Sequence, residues 1–86
     1  MLRCDANHIQ ITYRKHAVDR MRERSVSEAD VERALKYYVE RVSTPKNSVR
    51  YRGPGLDGRV LKVWVLPDGS PQADKIVKSV AWEGTS

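Results

Sequence analysis

Two neighbouring stretches near the start of the chain have helical periodicity. In the first, Ala17 and Met21 form an apolar line, and His16, Arg20 and Arg24 form an adjacent polar line with the same spacing of four residues. A helix turns by about 100° per residue, so both lines run along one helix. The pattern predicts a helix that begins near residue 14 or 15 and ends before residue 25, with an apolar face and a basic, histidine-bearing edge.

The second stretch opens with a helix N-terminus signal. Ser27 can act as the N-cap, and Asp30 occupies the third helical position, which is an S-x-x-D form of the capping box. The inward face then repeats at helical spacing. Its apolar members are Val31, Ala34, Leu35 and Tyr38. We predict a helix from Glu28 to about Tyr38 or Val39.

The remaining apolar positions predict strands, separated by turns rich in proline, glycine and asparagine. Residues 9–13 and 48–52 alternate apolar and polar side chains, as half-buried strands do. Residues 59–66 are almost continuously apolar, which predicts a central strand covered on most of both faces, and residues 75–82 form the last strand. The order is strand, helix, helix and three strands. It predicts an α+β fold with both helices on one face of a largely antiparallel sheet that ends in a three-stranded meander.

Length and composition predict one small domain. A chain of 86 residues, 40% of them hydrophobic, has material for a single core. We expect one domain over residues 1–86, with its core at about 9–82 and flexible ends at 1–8 and 83–86. Phenylalanine is absent, so we expect the aromatic packing to come from Trp64, Trp82, Tyr13, Tyr37, Tyr38 and Tyr51.

The net charge indicates the class of partner, and the cysteine content indicates the cellular compartment. A formal charge of +5 favours polyanionic partners such as RNA. The single cysteine, Cys4, excludes an internal disulfide, and no signal peptide or apolar run of roughly 20 residues is present, which predicts a cytoplasmic protein without a membrane partner. Cys4 and His8 lack the other half of a tetrahedral zinc site. We therefore predict no metal and no cofactor.

The basic residues suggest the chemistry of a metal-independent ribonuclease. Such an enzyme needs groups that transfer protons and positive donors around the phosphate. His16 can exchange a proton near neutral pH, and Arg20 offers a planar guanidinium fork for phosphate oxygens, so we assign catalytic roles to both. The residues assigned to phosphate or RNA binding are Arg24, Arg50, Arg52, Lys62 and Lys78. Tyr51, Trp64 or Trp82 can stack on an unpaired base.

The same residues also have purely structural interpretations. His16 can be a half-buried histidine satisfied by the backbone. The arginines of the first helix can be solvated charges paired with Asp19 and Glu23, and such surface pairs contribute only about 0 to 1 kcal/mol. The tryptophans can serve the core alone. The sequence leaves the functional and the structural interpretations open.

The two predicted helices carry the most distinctive motifs of the chain. These motifs are His16-Ala17-x-x-Arg20-Met21-x-x-Arg24 and Val26-Ser27-x-x-Asp30-Val31-x-x-Ala34-Leu35. Together they resemble the bacterial and archaeal domain-of-unknown-function family 4258, and the resemblance runs from about residue 11 to residue 82. The order of elements is also similar to the RelE/ParE-like toxins, small α+β domains that place two helices against an antiparallel sheet.

The wider similarity implies a free or ribosome-associated RNA endonuclease that a partner antitoxin neutralises. In such toxins the active groups commonly come from the sheet and the chain end, so His16 on the first helix has no counterpart by motif. Our leading hypothesis is metal-independent phosphodiester transfer on RNA. The alternative is a non-catalytic module that binds nucleic acid or protein, and a third hypothesis is a toxin-like protein whose groove accepts a helix or strand of an antitoxin.

Overall fold

A computed structural model describes residues 10–70 and 73–84. These residues form an α+β domain, the predicted fold class. The elements in chain order are β1 (Ile11–Tyr13), α1 (Lys15–Glu23), α2 (Glu28–Lys36), β2 (Glu40–Thr44), β3 (Ser48–Pro54), β4 (Val60–Val65) and β5 (Lys75–Trp82). Neither helix has the length and hydropathy needed to cross a membrane. Cys4, His8 and Ile9 lie outside the described residues.

The first predicted helix is confirmed as α1. Its apolar line is buried, since Ala17 is fully inaccessible and Met21 is only 8% exposed. The N-cap residue Arg14 makes no side-chain capping hydrogen bond. Beyond the C-terminus, Ser25 adopts a φ of 57°, the left-handed conformation that turns a chain out of a helix. α1 therefore buries one narrow face and leaves His16 exposed at its start.

The capping box at the start of α2 forms as predicted. The backbone N–H of Asp30 donates to Ser27 Oγ at 3.1 Å, and the backbone N–H of Ser27 donates to Asp30 Oδ2 at 3.0 Å. The other carboxylate oxygen of Asp30 accepts the backbone N–H of Leu56 at 2.8 Å. One buried carboxylate thus fixes both the beginning of α2 and the loop between β3 and β4.

The C-terminus of α2 lies earlier than predicted. The helix ends at Lys36, and the backbone N–H of Val39 donates to the carbonyl of Arg52 on β3 at 2.7 Å. The chain therefore leaves helical geometry to join the sheet. Tyr37 and Tyr38 are 48% and 36% exposed, so the prediction that both belong to the core is wrong.

Five strands form one mixed sheet in the order β1-β5-β4-β3-β2. Strands β2 to β5 are an antiparallel meander, and β1 pairs parallel to β5. The predicted order of one strand, two helices and three strands is therefore wrong, because it omits β2. Val42 is the only apolar residue of this strand, so no alternation marks it in the sequence. Its extended conformation depends on pairing with β3 at the sheet edge.

The hydrophobic core lies between the two helices and one face of the sheet. α1 packs on β5, and α2 packs on β3 and β4. The fully buried sheet residues are Tyr51, Leu61, Val63, Val65, Val77 and Val80. Burial alternates along β4, so Lys62 and Trp64 lie half-buried on the opposite face. The prediction that both faces of β4 are covered is wrong, whereas its central position in the sheet is confirmed.

Gly53 on β3 permits close packing of α2. A Cβ atom at this position would contact the backbone carbonyl of Ala34 and would lie 2.9 Å from the Cα of Tyr38. Real Cβ atoms do not approach backbone so closely, so any larger residue would push the helix away from the sheet. The helices thus cover one sheet face tightly and leave the other face available.

Candidate functional site

A pocket of about 550 Å³ lies where α1 begins, at the edge of the sheet face that the helices do not cover. β1 ends at Tyr13 opposite Val77, and the backbone N–H of Arg14 donates to the carbonyl of Val77 at 3.1 Å. Among the described residues, no strand pairs with β5 on that side beyond this point, so α1 begins beside its unpaired edge. We call this the His16–Lys78 pocket. The residues that line it are His16, Thr44, Pro45, Lys46, Ser48, Trp64, Lys78 and Ser79.

A β-bulge places Lys78 at the pocket. Trp64 pairs with Ser79 and the next residue of β4 pairs with Val77, which leaves Lys78 without an opposite residue on β4. Bulges of this kind re-aim a side chain relative to a regular strand. The Lys78 Nζ donates to Ser48 Oγ at 2.6 Å and to the carbonyl of Lys46 at 3.4 Å. Two of the three N–H groups of the Lys78 ammonium thus donate within the protein, and the third can donate to a ligand.

The turn between β2 and β3 forms the opposite wall. The Thr44 hydroxyl donates to the carbonyl of Ser48 at 3.3 Å, and the Ser48 hydroxyl donates to the carbonyl of Lys46 at 3.2 Å. Ser48 is only 4% exposed, so its hydroxyl is held in place. Asn47 closes the turn with a φ of 56°, a conformation that asparagine tolerates well. The turn therefore supports Lys78 rigidly.

The pocket is electrostatically positive. Among residues 10–70 and 73–84, no carboxylate lines it. Within the described part of the chain, neither Lys46 nor Lys78 has a carboxylate within ion-pair distance. Uncompensated ammonium groups beside a concave surface favour an anionic ligand.

His16 stands at the rim with an exposed side chain. Across residues 10–70 and 73–84 its imidazole makes no hydrogen bond or ion pair, so it is not the half-buried, backbone-satisfied histidine of the structural interpretation. Both ring nitrogens can therefore meet a ligand in the pocket.

The other predicted catalytic residue does not join His16. The guanidinium of Arg20 donates to Glu23 at 2.8 Å along α1, as the structural interpretation expects. Arg24 is the C-cap residue, and its backbone carbonyl accepts the indole N–H of Trp82 at 2.7 Å. Neither arginine lines the pocket.

The strand arginines lie on the uncovered sheet face but are neutralised. Arg50 contacts Glu40 at 3.0 Å, and Arg52 contacts Glu40 at 3.3 Å and Glu83 at 2.9 Å. The hydrogen bond to Glu83 is the main cause that raises the pKa of Arg52. Glu83, expected in a solvated tail, is exposed yet tied to the sheet by this contact. Lys62 is half-buried on the same face and does not line the pocket.

Of the predicted site residues, the pocket thus combines His16, Lys78 and Trp64, one of the predicted stacking residues. Sequence reasoning missed Lys46, Ser48 and Thr44, because a basic residue between hydroxyl residues in a proline-containing turn is an ordinary surface pattern. No sequence signal for this wall exists without the fold. Within the described residues, no group of three histidine, cysteine or acidic side chains is arranged to hold a metal ion.

A second polar cluster lies on the helix-covered side of the sheet, around a buried carboxylate. We call it the Asp68 network. The Tyr51 hydroxyl donates to Asp68 Oδ2, and Arg41 Nε donates to the Tyr51 hydroxyl at 2.9 Å. Arg41 and Lys75 both form ion pairs with Asp68, the latter at 3.1 Å. The side chains of Asp68 and Lys75 are 1% and 0% exposed.

Burial and hydrogen bonding set the protonation of this network. Burial is the largest influence on Asp68 and would raise its pKa, but hydrogen bonds from Tyr51, Arg41 and Lys75 outweigh it and lower that pKa. Burial, followed by the hydrogen bond to Asp68, raises the pKa of Tyr51 to about 12. The hydrogen bond to Asp68 is the main cause that raises the pKa of Arg41. The network is therefore satisfied internally at neutral pH.

Residues 13–82 of the chain match the family described as a domain of unknown function, DUF4258. The match covers both helices and all of the sheet except the first two residues of β1. The chain therefore belongs to this family. Comparison with curated proteins and with solved structures gave no match.

Proposed function

We propose that this domain binds RNA in the His16–Lys78 pocket and cleaves it by metal-independent phosphodiester transfer. The observation that supports the proposal is the combination, in one pocket, of an exposed imidazole and an ammonium group held by Ser48. The described residues that line the pocket include no carboxylate that would repel a phosphate. An anion with an adjacent transferable proton, as in an RNA phosphodiester with its 2′-hydroxyl, fits this pairing of groups.

The proposed reaction assigns one role to each group. His16 removes the proton of the 2′-hydroxyl, and the 2′-oxygen forms a bond to the adjacent phosphorus. The bond from phosphorus to the 5′-oxygen breaks, and that oxygen takes a proton from water. Lys78 binds a non-bridging phosphate oxygen and stabilises the charge that develops on it. The products are a 2′,3′-cyclic phosphate and a 5′-hydroxyl, and the imidazolium returns its proton to solvent.

This assignment gives the role of phosphate-binding cation to Lys78 and not to Arg20. The guanidinium of Arg20 is bound to Glu23 and does not line the pocket. Arg50 and Arg52 can attract RNA to the uncovered face only after their glutamate partners are displaced or screened. Lys62 and Arg24 remain candidates for contacts with more distant phosphates.

The similarity to RelE/ParE-like toxins extends the proposal to partners. Two helices on one face of a largely antiparallel sheet, and a basic chain, support a role as a toxin-like ribonuclease acting on free or ribosome-bound RNA in the cytoplasm. An antitoxin protein would then neutralise it. Co-purification with the product of an adjacent small open reading frame tests this part, and cleavage that such a product fails to inhibit would contradict it.

The test of the central proposal is cleavage of single-stranded RNA in EDTA. We expect fragments that end in 2′,3′-cyclic phosphate, and we expect the same sequence with 2′-O-methyl groups to stay intact. His16→Gln should reduce the rate by about 100-fold or more. Val18→Ala is the matched control, because Val18 is 40% exposed on the same helix and does not line the pocket.

Two outcomes would overturn parts of the proposal. Cleavage at the normal rate by His16→Gln would remove His16 from the mechanism. Salt-dependent RNA binding without any cleavage would reject the enzyme and leave the alternative, a non-catalytic nucleic-acid-binding module.

A further inference from the structure

Trp64 differs from the two large aromatic residues that face the core, Tyr51 and Trp82. Tyr51 is fully buried and makes an edge contact with Tyr38 at 5.3 Å between ring centroids. Trp82 is 6% exposed, binds the carbonyl of Arg24 and is covered by the guanidinium of Arg59 at 4.1 Å from its ring. Both of these rings are already occupied by partners in the fold.

Trp64, by contrast, is half-buried and lines the His16–Lys78 pocket. In the part of the chain that the structure describes, no aromatic ring or cation stacks on its indole, and its N–H makes no hydrogen bond. The residue therefore contributes an aromatic surface to a pocket whose lining also includes the ammonium groups of Lys46 and Lys78. Trp64 pairs with Ser79 next to the β-bulge, and this pairing fixes the distance along the sheet between the indole and Lys78.

We infer that the pocket is a subsite for one unpaired nucleotide, whose base stacks on Trp64 while its phosphate binds Lys78. The inference rests on the proposed function and names its substrate class. A volume of about 550 Å³ lies within the range of roughly 300 to 1,000 Å³ that small-molecule sites occupy. A base inside a duplex has both faces covered by its neighbours, so only an unpaired base can present a face to the indole.

The subsite also predicts that the protein distinguishes little between different base sequences. Stacking tolerates all bases, because every base has a π-face. The hydroxyls of Thr44 and Ser48 already donate within the turn, so neither can also donate to the edge of a base. We expect strong selection for unpaired over paired nucleotides and little selection among sequences.

The test uses a 2′-O-methyl oligoadenylate, which cannot undergo the cleavage reaction, and its duplex with 2′-O-methyl oligouridylate. The chain contains two tryptophans, so quenching of Trp64 appears as a partial loss of total fluorescence. We expect the single strand to quench the emission and the duplex to leave it nearly unchanged. Trp64→Phe should fold normally and lose the quenching. Trp64→Leu should bind the single strand roughly 10- to 100-fold more weakly.

Leu56→Ala, an exposed apolar truncation in the loop between β3 and β4, is the matched control and should bind normally. Single-strand binding without quenching, equal binding of the duplex, or normal affinity of Trp64→Leu would overturn the subsite. Quenching by the probe together with intact natural RNA would keep the subsite and reject the proposed cleavage. Cleavage of natural RNA without quenching by the probe would keep the proposed cleavage and reject the subsite.

Discussion

The Asp68 network and the His16–Lys78 pocket contain similar side chains in opposite electrostatic environments. In the network, Lys75 is fully buried and paired with the carboxylate of Asp68, which Tyr51 also binds. In the pocket, Lys78 is held by a hydroxyl and a carbonyl, which leave its charge uncompensated. A lysine that is neutralised inside the fold stabilises the structure, whereas a lysine fixed by neutral groups remains available to an anion. Burial and partner charge, not residue type, separate the two regions.

Among the variants considered, Asp68→Asn should cause the largest loss in the free energy of unfolding. The substitution leaves Lys75 buried without its counter-charge, and breaking a buried pair in this way costs about 3 to 5 kcal/mol. Urea denaturation measures the loss as a fall in the free energy of unfolding. Glu23→Gln, which removes a carboxylate that is 57% exposed, should cost less than about 1 kcal/mol. Equal costs for the two variants would show that the network does not stabilise the fold.

A smaller effect should follow from Tyr51→Phe. The ring and its packing against Tyr38 remain, but Asp68 loses a donor and Arg41 loses an acceptor. We expect a loss of about 1 to 3 kcal/mol in the free energy of unfolding, by the same urea titration. RNA binding should not change, since none of these residues lines the pocket. If Tyr51→Phe bound RNA more weakly without losing stability, the Asp68 network would contribute to binding in the pocket.

The pH dependence of stability should also arise from the network. The folded pKa of Tyr51 is about 12, above its ordinary value of 10.0, so its contribution is complete below pH 10 and is lost as the pH rises towards 12. The folded pKa of Asp68 is lowered, so its contribution is present above its ordinary value of 3.8 and is lost as the pH falls below it. Thermal unfolding across pH should show both losses. Tyr51→Phe should lack its share of the alkaline loss, and Tyr13→Phe should retain that share.

The smallest effect on stability, and a clear effect on binding, should come from Lys78→Gln. The amide can still donate to Ser48, so the free energy of unfolding should change by no more than about 0.5 kcal/mol. Loss of one phosphate contact should weaken single-stranded RNA binding and reduce the slope of log affinity against log salt by about 0.7. Lys36→Gln, the same change on the exposed surface of α2, should leave affinity nearly unchanged. Identical salt slopes for both variants would contradict the assignment of Lys78.

Local signals in the sequence predicted much of the fold. The line of Ala17 and Met21 defines the buried face of α1, and the Ser27–Asp30 pair defines the start of α2. The last strand was predicted with its observed bounds, Lys75–Trp82. β2 was missed because its polar residues become extended only through pairing with β3. The end of α2 was placed too late because the hydrogen bond from Val39 to the sheet has no local signal.

The candidate site shows the same limit more strongly. Helical spacing correctly placed His16 and Arg20 on one helix, which ends just before its C-cap residue Arg24. It could not reveal that Glu23 binds Arg20 while His16 lies at the rim of a pocket. Lys78 was one of several candidate cations in the sequence. The bulge in β5, which depends on register with β4, distinguishes it from the others.

The sequence by itself determined the family, the two helices and the supply of basic side chains, because capping and periodicity act between residues within a few positions of each other. Only the tertiary structure decided which cations are neutralised and which remain available. Ser48 and Lys78 are 30 positions apart and meet only when β3, β4 and β5 pair in one register. Electrostatic partnership depends on distance in space, and that distance is set by the assembled sheet.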